Sequence, residues 1–64
     1  MKFKDILMRV NEHVRIRIRV MVFGMNFSTE HSAEYYFNSE DTELREKEVV
    51  NIYAADDVLE LVLK

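Results

Sequence analysis

The sequence contains no cysteine, no proline and no tryptophan, and it has a single glycine at position 24. The missing cysteines exclude disulfides and thiolate-held zinc. With two histidines in the chain, a structural metal would depend on carboxylate ligands, and no metal is expected. One glycine and no proline leave little material for long loops or linkers. Long apolar runs are missing too. The stretch after Met1-Lys2-Phe3-Lys4-Asp5 is too short and too charged for a signal peptide or a membrane span.

What remains bounds the class. Sixty-four residues form one domain, residues 1–64, and a chain this short buries only about 60% of the surface its unfolded form exposes. Small domains are often supported by disulfides, a metal or self-association, and here self-association is the support left open. A hydrophobic fraction of 48% with 33% charged residues argues against disorder. A formal charge of −3 does not favour bulk nucleic acid. The expected setting is the cytoplasm.

Two periodicities organise the chain. Phe3, Ile6, Leu7 and Val10 stand at i, i+3, i+4 and i+7, which predicts a short helix from about Lys4 to Val10. Val14, Ile16, Ile18, Val20 and Val22 then alternate with Arg15, Arg17, Arg19, Met21 and Phe23, the pattern of a half-buried strand. Gly24-Met25 fits a two-residue II′ turn. That turn sets Val20 opposite Thr29, Ile18 opposite His31, Arg19 opposite Glu30, and Arg15 opposite Glu34 if the strand continues. A one-residue slip would bring Glu30 to the apolar face.

Ser32 to Asn38 fits a short helix capped by Ser32 or a continued strand with Tyr35 and Phe37 inward. The register break near Ala33 favours the helix. Asn38 to Lys47 is polar and acidic, anchored by Leu44, and reads as an exposed loop or a single helical turn. The last third predicts a second hairpin tipped by Asp56-Asp57. It pairs Ala54 with Leu59, Ile52 with Leu61 and Val50 with Leu63. The fold class is α+β, an N-terminal helix packed on an antiparallel sheet of two hairpins.

Catalytic chemistry finds no footing. Ser28, Ser32 and Ser39 have no glycine-rich elbow around them, and Asp56-Asp57 at a turn is solvated turn chemistry. His31 with Glu30 and Glu34, and His13 with Glu12, match no ligand motif of real specificity. No enzyme activity and no cofactor are expected. The chain has features for binding instead. Arg15, Arg17 and Arg19 project from one strand face about 6.5–7 Å apart, either as a solvated face paired with glutamates or as a contact surface. Met21, Phe23, Val49, Tyr53, Val58 and Val62 fall opposite the core, and an open patch of that size would mark an interface. The strand from Val58 to Lys64 reads as an edge able to pair with another chain.

The opening Lys2-Phe3-Lys4-Asp5-Ile6-Leu7, the strand Val14-Arg15-Ile16 and the closing Lys47-Glu48-Val49-Val50-Asn51-Ile52-Tyr53-Ala54-Ala55-Asp56-Asp57-Val58-Leu59 resemble small proteins encoded by phages and prophages of Gram-positive bacteria. That resemblance implies an accessory protein of a mobile element, acting by binding a host or phage protein, in some cases a defence nuclease. The expectation is a non-catalytic protein-binding module, self-associating as a homodimer. Its candidate contacts are Arg15, Arg17 and Arg19 with Tyr36 and Tyr53 as aromatic anchors. Nucleic-acid binding through the arginine stripe ranks below it, and a sponge for a small anionic ligand at a dimer cleft ranks last.

Overall fold

The structure is a computed structural model that describes the backbone of all 64 residues and every side chain except those of Val22 and Ala55. The elements run α1 (Phe3–Leu7), β1 (Arg15–Val22), β2 (Met25–Ser32), α2 (Ala33–Phe37), α3 (Thr42–Glu46), β3 (Val49–Ala55) and β4 (Val58–Leu63). The strands form one sheet in the order β2-β1-β4-β3. The expected α+β architecture of a helix on two hairpins is therefore present. β1–β2 and β3–β4 are antiparallel, and the hairpins meet through a parallel β1–β4 pair. The sheet is mixed where an antiparallel one was expected.

β1 sets Arg15, Arg17 and Arg19 between apolar residues, β4 is apolar at every position but Glu60, and both are central. Ile16, Ile18, Val20, Leu61 and Leu63 are buried on one face. The strand from Val58 to Lys64 was expected at an edge; flanked by β1 and β3, it is interior instead. The edges are β2 and β3.

Three short helices cover that face. α1 begins where Lys2 is extended, and its backbone N–H donates to the Asp5 carboxylate at 3.0 Å. It ends at Leu7, sooner than the apolar spacing suggests, with Val10 packed beside the core. Phe3, Ile6 and Leu7 are buried. α2 starts at the Ser32 cap, whose Oγ accepts from the Tyr35 N–H at 3.3 Å. α3 starts at Asp41, whose carboxylate accepts from the Leu44 N–H at 3.0 Å. Caps of this kind contribute about 1 kcal/mol each, which matters for five-residue helices that cannot persist alone. Arg45 ties α3 back to the end of α2 through the Tyr36 and Ser39 carbonyls.

The first hairpin turns one residue earlier than Gly24-Met25. Val22 pairs with Met25, so Phe23 and Gly24 form the turn, both at positive φ, 53° and 76°. Positive φ at both positions defines type I′, not II′. The whole register moves by two residues. Ile16 faces His31, Ile18 faces Thr29, Val20 faces Phe27 and Arg17 faces Glu30. A shift of two keeps every side chain on its face, so the apolar pattern permits both registers. In the second hairpin Ala54–Leu59 and Ile52–Leu61 pair as expected. A bulge at Val50 then brings Val49, not Val50, opposite Leu63, and Val49 packs against the core.

Candidate functional site

The arginines of β1 alternate with the core residues and so lie together on the face away from the helices. The structure closes that stripe into a ladder. Glu30 on β2 accepts from Arg15 Nη2 at 3.1 Å and from Arg17 Nε and Nη2 at 3.2 and 2.9 Å. On the other flank, Glu60 on β4 lies 2.8 Å from Arg19 Nη2 and 3.7 Å from Arg17 Nη1. Arg17 thus links three strands. The two arginines on Glu30 hold its carboxyl below the usual carboxylate range. The expected partners were Glu30 for Arg19 and Glu34 for Arg15. The two-residue register change moves Glu30 down the ladder, and Glu34 belongs to α2.

Three guanidinium groups against two carboxylates leave a single net positive charge on this face. A stripe so neutralised is a weak attractor of phosphate, because its cations already have partners. Glu60 is the partner that sequence reasoning missed. Its alternation places it on the outer face of β4, but nothing local shows that β4 lies beside β1.

Tyr36 and Tyr53 separate. Tyr36, expected as an exposed anchor, is a core residue with 2% of its surface accessible. Its ring meets Phe3 edge-on at 5.4 Å, and its hydroxyl lies 3.0 Å from Thr29 Oγ1. Burial raises the phenol's pKa, so it stays neutral. Ala33 and Tyr36, three apart, share the buried side of α2; that spacing was visible once a helix was assumed. Tyr53 is half exposed, on the outer face opposite Glu60.

His31 is half-buried and stacks on Tyr35, centroids 3.8 Å apart and planes 20° off parallel. Among the described residues no three His, Asp or Glu side chains converge as a metal site would need. Among the described residues no helix is long and apolar enough to cross a membrane.

The outstanding surface is elsewhere. β4 pairs with β1 only as far as Val20, so the β1–β2 hairpin extends past the sheet as a free ribbon. Its end carries Met21, Phe23, Met25 and Phe27, all more than half exposed, with Phe23 at 99%. Compared with models of protein families, with curated proteins and with solved structures, the chain matches none.

Proposed function

We propose that the chain is a non-catalytic protein-binding module acting in the cytoplasm, and that the tip of the β1–β2 hairpin is its docking element. Phe23 carries the reading, being fully exposed while held at φ 53°. A left-handed backbone costs an ordinary L-residue about 1–2 kcal/mol, and a side chain in solvent returns nothing by burial. Asparagine or aspartate before Gly24 would make the same turn more cheaply. The second hairpin places an aspartate, Asp56, at its own left-handed turn position, φ 52°. An aromatic at this position makes physical sense when another molecule covers it.

The surroundings suit a protein pocket. Met21 and Met25 are flexible apolar side chains that adapt to an irregular cavity, and Phe23 and Phe27 are compact anchors of the hot-spot type. A net charge of −3 works against nucleic acid and against anionic lipid, and the paired arginines add little attraction. The resemblance to phage-encoded accessory proteins agrees, with a host or phage protein as the partner.

Capture from lysate of a Gram-positive host, with and without nuclease treatment, tests the proposal, with the wild type and the Phe23→Ser variant as parallel baits. One protein retained by the wild type and lost with the variant supports it. Equal retention by both baits, or loss of binding on nuclease treatment, contradicts it.

A further inference from the structure

β3 is an edge strand without the usual protection. From Val49 to Ala55 it contains no charged residue and no proline, and its flank opposite β4 has no strand beside it. Exposed uncharged edges are templates for another strand. Only its beginning is covered. Phe3 N–H donates to the Lys47 carbonyl at 2.9 Å, and Val49 N–H donates to the Met1 carbonyl at 2.8 Å. The bulge at Val50 follows, and beyond it Asn51 to Ala55 is regular and open.

The turn fixes which groups face outward. A two-residue connection makes Ala55–Val58 a hydrogen-bonded pair, and alternation makes Tyr53–Glu60 and Asn51–Val62 the next ones. The N–H and C=O groups of Ile52 and Ala54 therefore point away from β4. Before the bulge the outward groups belong to Lys47 and Val49, so the bulge switches the outward set from odd to even positions.

We propose that two copies of this chain pair antiparallel through β3, on a two-fold axis centred on Tyr53, forming one eight-stranded sheet. This goes beyond the hairpin-tip reading and does not depend on it. In this register Ile52 exchanges both backbone bonds with the partner's Ala54, and Ala54 with the partner's Ile52. The segment from 51 to 55 pairs with itself, so the open regular stretch is used in full and both bulges fall outside it. The two Tyr53 rings become a close non-hydrogen-bonded cross-strand pair on the outer face.

Charge selects a second copy as occupant. The paired segment is neutral, and Asp56 falls opposite Val50 of the partner, so no acid meets an acid. The alternative centre on Ile52 would set Glu48 opposite Asp56 and force the bulge into the ladder. A two-fold arrangement also consumes the edge and closes, where head-to-tail pairing of β3 with β2 would propagate. Ile52 and Tyr53, exposed at 51% and 49% in the single chain, are both drawn into the junction.

The test combines mass with cross-linking. Sedimentation equilibrium of the wild type should give twice the 7.7 kDa chain mass, and Ile52→Lys should give the single-chain mass with an unchanged far-UV spectrum. Single cysteines introduced at 51 through 55 into the cysteine-free chain then read the register. Opposed Cα atoms of a non-hydrogen-bonded pair lie about 4.5 Å apart, within disulfide reach. Tyr53→Cys should give a covalent dimer under mild oxidation at a yield several-fold above its neighbours. A wild type that stays single at millimolar concentration, masses growing beyond the dimer, or strongest cross-linking from Ile52→Cys would each overturn the proposal.

Discussion

Oε1 of Glu60 lies 2.8 Å from Nη2 of Arg19 across the parallel seam of the sheet. The Glu60 side chain is 16% exposed, the least accessible partner in the ladder. The pair ties β1 to β4, which share no turn, so it acts where chain connectivity gives no help.

A double-mutant cycle of Arg19→Ala and Glu60→Ala should therefore show coupling of about 0.5–1 kcal/mol, at the upper end for pairs open to solvent. Urea denaturation provides the measurement. Strict additivity would mean that the seam is held by Ile16, Ile18, Leu61 and Leu63 alone. Glu34→Ala, which removes a carboxylate outside the ladder, should leave stability within about 0.5 kcal/mol of wild type.

The residues show why some of this was legible and some was not. Alternation in β1 and the apolar spacing of α1 are local signals, and both elements are present. Ser32 signalled α2 because a capping hydroxyl acts over three residues. The first hairpin register escaped because phenylalanine is a poor candidate for the first position of a type I′ turn. The unexpected turn and the exposed aromatic at its tip thus come from one residue, Phe23. The β1–β4 seam joins residues more than forty positions apart, and with it Glu60 stayed out of reach. Tyr36 is buried because its place on α2, not its residue type, decides its exposure.

Tyr36 should be costly to change. Tyr36→Phe removes the hydroxyl beside Thr29 and should cost about 1 kcal/mol, lowering the melting temperature by roughly 4–8 °C for a domain of this size. Tyr36→Ala also opens a cavity against Phe3 and should cost about 3–5 kcal/mol, enough to unfold a marginal domain. Thermal melts followed by circular dichroism decide both. A Tyr36→Ala variant as stable as wild type would contradict the packing described.

Glu46 predicts an acid-sensitive joint between α1 and α3. Lys2 and Lys4 each reach its carboxylate at 2.7 Å, and these hydrogen bonds hold its pKa at about 2 against an ordinary 4.5. The folded protein then binds fewer protons here than the unfolded chain. The contribution is full above about pH 4.5 and is lost as pH falls towards 2. Glu30 adds in the same direction. Lys2, whose pKa is raised chiefly by its bond to Glu46, contributes below about pH 10.5 and loses that contribution at higher pH. Melting temperature against pH should show Glu46→Gln below wild type at pH 6, with the two curves converging by pH 2. Parallel curves would contradict the assignment.

Phe23→Asn should stabilise the protein. Asparagine tolerates the left-handed backbone, and Asn-Gly is the favoured type I′ dipeptide. The gain should be about 0.5–1 kcal/mol, or several degrees in melting temperature. An unchanged or lower melting temperature would mean that Phe23 is not strained, and the functional argument would lose its premise.

The most direct test of the docking account is a titration of the captured partner against the wild type and Phe23→Asn, at a temperature where both are folded. The account predicts at least tenfold weaker binding by the variant despite its higher melting temperature. Equal affinities would contradict it and leave the exposed hairpin tip without the role assigned to it.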